Sequence, residues 1–238
     1  MDENWINNVL KNEYQFVRSL KRTEKTEICV FRHKQLGKEI VRRRVQGTGE
    51  VYFVLKNLYH PNIANVYDVF ADKDKITVLE EYVSGQTISE YLEDNLFSPE
   101  GVKNVVIALC DALDFLHSHK IIHKDIKPEN VMLDSSGNVK LIDFDASRIY
   151  KPYQSKDTQI IGTIGYAAPE QYGFCQSDGR TDIYSLGVLI NVMLTGKAPE
   201  TKLYNGRLKK IIVKCTQHIS DNRYQNVKEL KKSLEKCK

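Results

Sequence analysis

The apolar residues of this 238-residue chain change their spacing near residue 85, and that change limits the folds open to it. Before it, short runs at Tyr14 to Leu20, Glu27 to Phe31, Glu39 to Val45 and Ile76 to Leu79 alternate with charged or turn-forming segments, the pattern of antiparallel strands. One segment between them has helical spacing instead, with Val51, Val54, Leu55 and Leu58 on one face, and it stops before His60-Pro61-Asn62, where Pro61 cannot continue a helix. After the change, Ser98 to His117 opens on Ser-Pro-Glu and carries Val102, Val105, Val106, Leu109, Leu113 and Leu116 along one face. The spacing predicts an α+β chain. A small antiparallel sheet with one short helix is expected over residues 1–82, a hinge over 83–85 around Ser84-Gly85, and a mainly helical part over 86–238.

A hydrophobic content of 41% with no run of eighteen apolar residues allows a substantial core and predicts no membrane span. The acidic start, without an apolar stretch of leader length, leads us to expect a cytoplasmic protein. Five cysteines (Cys29, Cys110, Cys175, Cys215 and Cys237) are odd in number, scattered and never in a CxxC pair, which argues against a disulfide framework or a zinc site. The net charge of +4 carries weight only where it clusters, and it clusters at Arg42-Arg43-Arg44 with Arg32, Lys34 and Lys38. A solvated strand face accounts for this patch more simply than nucleic-acid binding does.

The richest chemistry lies in His123-Lys124-Asp125-Ile126-Lys127-Pro128-Glu129-Asn130 and, after the apolar runs Val131-Met132-Leu133 and Val139-Lys140-Leu141-Ile142, in Asp143-Phe144-Asp145. Phosphoryl transfer asks little covalent help of a protein: a carboxylate to orient the incoming hydroxyl, a cation, and oxygen ligands for magnesium. Asp125 suits the first role and Lys127 the second. Asn130 and Asp143 suit the third, since magnesium takes a few hard oxygen ligands beside those of phosphate.

With these motifs in order, the sequence resembles the protein kinase family, in particular the eukaryotic-like serine/threonine kinases of bacteria. Gly162-Thr163-Ile164-Gly165-Tyr166-Ala167-Ala168-Pro169-Glu170 looks like the end of a kinase activation segment, Thr181 to Gly187 (TDIYSLG) like the buried helix after it, and Asp221-Asn222-Arg223-Tyr224 like the late arginine motif. The resemblance implies a two-lobed fold, an ion pair between Arg223 and Glu170, ATP and magnesium as cofactors, and a protein substrate modified on serine or threonine. It also implies that Thr163 contacts Asp125 and Lys127. Ile28, Val41 and Met132 would sandwich the adenine, with backbone hydrogen bonds at Glu81 and Val83.

The sequence departs from the family pattern mainly before the hinge. The family's glycine-rich loop has no counterpart, because Lys21, Thr23 and Thr26 fall at the three glycine positions. Gly37 to Arg43 resembles the GxxVAIK strand with Val41 for its alanine and Arg43 for its lysine, and Glu50 misses the place of the partner glutamate by one residue. Glu80, before the hinge residues, would be costly to bury alone, so an ion pair with Arg43 is expected; the alternative leaves Glu80 in solvent and Arg43 on a phosphate. Lys124 replaces the arginine that grips an activation-loop phosphate, which argues against activation by phosphorylation even though Tyr153, Ser155 and Thr158 lie in that loop. Asp145 replaces a glycine. Two functions fit: an atypical or weak serine/threonine kinase, and a pseudokinase that acts as a nucleotide-binding or regulatory module.

Overall fold

A computed structural model describes residues 3–151, 163–173 and 176–237, with side chains from Ile6 onward. Tyr153, Ser155, Thr158, Gly162 and Cys175 lie outside the described residues. The chain divides into two compact units, Met1–Ser84 and Gly85–Lys238.

The first unit runs α1 (Glu3–Glu13), β1 (Tyr14–Arg22), β2 (Thr26–His33), β3 (Glu39–Gln46), α2 (Glu50–Leu55), β4 (Val66–Asp72) and β5 (Lys75–Glu81). Its strands form one antiparallel sheet in the order β1-β2-β3-β5-β4. Sequence periodicity misses α1 and β4. The helix shows only a thin apolar stripe, in which Ile6 and Leu10, one turn apart, bury against Ile40 and Phe70. Lys34 Nζ caps its end, donating to the carbonyls of Lys11 and Asn12 at 3.0 and 2.8 Å. In β4 a bulge at Tyr67 shifts the register between Val66 and Asp68, which breaks the alternation that marks a strand. The helix expected from Val51 to Leu58 is shorter and ends at Leu55. It starts after Gly49, at φ 64°, where a Cβ would stand 2.5 Å from Ile76 Cδ1, so only glycine fits.

The arginine run is not the solvated face expected of it. Arg43 is buried on one face of the sheet. On the other, covered by α1, half-buried Arg42 pairs with Glu27 and lies over the Phe31 ring, while Arg44 reaches Thr77 and Asn7. The helix unseen in the sequence is what removes that face from water.

The second unit runs β6 (Gly85–Thr87), α3 (Ile88–Asp94), α4 (Pro99–Ser118), β7 (Ile121–Ile122), β8 (Val131–Asp134), β9 (Val139–Leu141), β10 (Arg148–Ile149), α5 (Gly179–Thr195), α6 (Lys209–Cys215) and α7 (Val227–Lys236). Helix α4 matches its expected span, with the Ser98 hydroxyl accepting from the Gly101 N–H and Pro99 in the first turn. Helix α5 is buried along its length from Thr181 to Leu194 and forms the centre of this unit. Its Gly187 lets α6 come close: a Cβ there would lie 2.4 Å from that of Cys215. Arg223 donates to both carboxylate oxygens of Glu170, at 2.7 and 2.9 Å, and its guanidinium lies over the Tyr184 ring. This is the pair that the motif resemblance implied, and it is bidentate, the stronger geometry for arginine.

Candidate active site

The site in the second unit is built on a short hairpin. Strands β8 and β9 pair from Val131 with Leu141 to Leu133 with Val139, and the Ile142 N–H donates to the Asn130 carbonyl at 3.0 Å. The hairpin therefore brings the segment before β8 beside the segment after β9, although Asn130 and Asp143 are well apart in sequence. Asn130 is buried, and its amide nitrogen donates to the Asp125 carbonyl at 2.8 Å and to Asp125 Oδ2 at 2.9 Å. Both amide hydrogens are thereby used, which leaves the amide oxygen as the group for a cation.

Asp125, Lys127 and Thr163 form a closed set. Thr163 Oγ1 donates to Asp125 Oδ1 at 2.6 Å, and Lys127 Nζ donates to Thr163 Oγ1 at 2.8 Å while standing 2.7 Å from Asp125 Oδ2. Both charged side chains remain partly exposed. Asp143 accepts from the Asp145 N–H at 3.3 Å and sits at φ 64°; it and Lys124, at φ 68°, are two of four described non-glycine residues with positive φ. Such backbone costs on the order of 1–3 kcal/mol and persists only where its surroundings fix it. Asp145, by contrast, has no positive φ, so a side chain is tolerated where the family carries glycine.

What fixes Lys124 is a residue whose role the sequence did not disclose. Asp182, fully buried near the start of α5, accepts from the N–H groups of His123 and Lys124 at 3.0 and 2.8 Å and pairs with His117 Nε2 at 2.8 Å. Burial pushes its carboxyl pKa up, but the hydrogen bond from His117 and the other partners more than offset this and hold it below the usual range. From the other side, Gln171 Nε2 donates to the Lys124 carbonyl at 2.8 Å. The Lys124 side chain is itself only 2% exposed. His123 packs edge-on against the Phe144 ring at 5.2 Å, and burial lowers its pKa despite the carboxylates of Asp182, Asp125 and Asp143. The one available signal for Asp182 was an acidic residue inside an otherwise apolar helical run.

The protein kinase domain family matches residues 13–238. The chain belongs to the protein kinase family. Among its relatives are the probable serine/threonine-protein kinase PknB of Lactococcus lactis, 33% identical over 62% of this chain and 24% of its own length, and the serine/threonine-protein kinase PrkC of Bacillus subtilis, 33% identical over 60% and 22%. A probable serine/threonine-protein kinase PknB of Corynebacterium glutamicum is 36% identical over 68% and 25%. The chain matches about a quarter of the length of these relatives.

Within the kinase fold, the first unit shows the departures that the sequence announced. Arg43 Nε donates to Glu80 Oε1 at 2.9 Å, with the two residues 4% and 5% exposed, so the carboxylate before the hinge is neutralised by the arginine in the lysine position. Ile28 and Val41 are buried on the Arg43 face of the sheet, and Val83 is buried at its end. Glu81 donates its N–H to the Asn65 carbonyl at 2.8 Å, and its carboxylate accepts from the Asn65 N–H at 3.0 Å. Met132 belongs to the second unit, half-buried in β8 between Thr87 and Lys140. Among the described residues, no helix is long and apolar enough to cross a membrane.

Proposed function

We propose that the chain transfers the terminal phosphoryl group of ATP, with magnesium, to a serine or threonine hydroxyl of a protein substrate. The observation that carries the reading is the closed set of Asp125, Lys127 and Thr163, with Asn130 bound to the same aspartate. In this scheme the acceptor hydroxyl attacks the γ-phosphorus, its proton passes to Asp125, Lys127 offsets charge on the transferred group, and ADP leaves. Thr163 and Asn130 hold the Asp125 carboxylate in one orientation while this happens. Asn130 through its amide oxygen and Asp143 through its carboxylate would hold magnesium, which supplies charge neutralisation at the phosphates. Ile28, Val41 and Met132 are the proposed adenine contacts, with Glu81 and Val83 offering backbone hydrogen bonds; Arg43, the candidate phosphate ligand, has its charge committed to Glu80 instead. The buried free cysteines Cys29, Cys110 and Cys215 suit a reducing compartment such as the cytoplasm.

One observation favours the pseudokinase reading. The Thr23 and Thr26 N–H groups at the β1–β2 turn are spent within the hairpin, on Thr26 O at 2.8 Å and Thr23 Oγ1 at 3.0 Å, so they cannot cradle a phosphate. A labelled-ATP transfer assay with magnesium and a generic protein substrate decides between the two. The expected outcome is measurable transfer that falls about 10³-fold in Asp125→Asn. ATP binding without transfer in the wild-type chain would leave the nucleotide-binding module, and equal labelling by both proteins would remove the kinase reading.

A further inference from the structure

Strand β1 carries two bulges, and together they decide which way its cations point. Register runs Tyr14 to His33 and Phe16 to Phe31, then shifts so that Arg18 faces Val30, and shifts again between Ser19, opposite Cys29, and Lys21, opposite Ile28. Residues opposite one another in an antiparallel pair share a face. Alternation from Arg18 alone would put Lys21 on the other side of the sheet; the extra residue Leu20 turns it back. Lys21 therefore stands in one cross-strand row with Ile28, Arg43 and Val78, next to the row of Arg18, Val30, Val41 and Glu80. Lys21 and Arg43 flank Ile28, each about 5 Å away by strand spacing.

These cations differ in their commitments. Arg43 is held by Glu80, and Arg18 donates to the Tyr82 hydroxyl at 2.7 Å. Lys21 is exposed, and its side chain has no hydrogen bond or ion pair among the described residues. The backbone beside it offers little to an anion: the Thr23 and Thr26 amides are spent, and no residue from Lys21 to Glu27 has the positive φ with which successive amides form an anion-binding concavity.

We infer that Lys21 is a phosphate ligand of the bound nucleotide, a side-chain cation that the Leu20 bulge sets on the Arg43 face in place of the amide cradle. This rests on the phosphotransfer reading above. The test is equilibrium binding of ATP and of adenosine, with magnesium and at fixed ionic strength, to the whole chain and to Lys21→Met, Lys21→Arg and Arg22→Met. Arg22 is the control, an exposed cation one residue away whose partner Glu27 places it on the opposite face. Loss of a charge-assisted contact should weaken ATP binding about tenfold in Lys21→Met, with adenosine binding unchanged, recovery in Lys21→Arg, and a change of less than about twofold in Arg22→Met. An unchanged ATP affinity in Lys21→Met, an equal loss for adenosine, or an equal loss in Arg22→Met overturns the assignment and leaves the phosphotransfer reading standing. A wild-type chain that binds neither ATP nor adenosine overturns both.

Discussion

The segment from His123 to Asp143 and the hairpin from Lys21 to Glu27 are fixed in opposite ways. Around the first, buried Asp182, Gln171 and Asn130, with half-buried Thr163, tie down backbone and side chains, and two non-glycine residues are held at positive φ. The second is tied by the Thr23–Thr26 turn and by β3 at its end, where Glu27 meets Arg42, while Lys21, Arg22, Glu24 and Lys25 stand exposed. Groups that carry out proton transfer must stay within fractions of an ångström of one geometry, so their support is buried and redundant. A grip on phosphate made by a flexible ammonium needs only charge within reach. Under the proposed function, the contrast is between a chain that lacks the family's glycine-rich loop and a proposed catalytic loop that is held on several sides.

The largest test of that contrast is Asp182→Ala. It strands the N–H groups of His123 and Lys124 in the core, at roughly 1–3 kcal/mol each, so a loss of about 4 kcal/mol in urea unfolding is expected, with phosphoryl transfer falling alongside. A variant that unfolds like wild type would mean that the catalytic loop is not held from α5.

A smaller effect is expected in the first unit. Arg43→Met leaves Glu80 buried without the Arg43 charge and should cost about 3 kcal/mol, while the double variant Arg43→Met/Glu80→Leu should return to within about 1 kcal/mol of wild type, because removing both charges also removes their desolvation. If the double variant is as unstable as the single one, the pair contributes more than mutual neutralisation, and the two units are more alike than described.

The smallest effect is in pH. His123, Asp182 and Glu170 all have folded pKa values below their ordinary ones: burial dominates at His123, while at Glu170 burial raises the value and the hydrogen bond and charge of Arg223 bring it down. For all three the unfolded chain binds the proton first, so stability falls as pH drops, beginning below about 6.5 with His123 and steepening below about 4.5 as Glu170 and then Asp182 lose their charge. Urea midpoints measured against pH should show this, and His123→Phe should remove the portion above pH 5.

Much of this was legible in the chain alone. The change of apolar spacing reflects which face of each strand or helix is buried, so it located the sheet, the Ser98 cap and the α4 stripe. The proposed site residues Asp125, Lys127 and Asn130 stood out because they are local in sequence and the chemistry proposed for them restricts residue type. The Glu170–Arg223 pair was implied by the family resemblance, and the Arg43–Glu80 pair followed from the cost of burying Glu80 alone. Only the tertiary structure decided the rest: that α1 closes the outer face of the sheet over Arg42 and Arg44, that Asp182 pins the catalytic loop, and that the Leu20 bulge sets Lys21 beside Ile28. Each depends on partners far apart in the chain or on a one-residue slip in register, and a bulge changes which face a side chain takes without changing the residue that carries it.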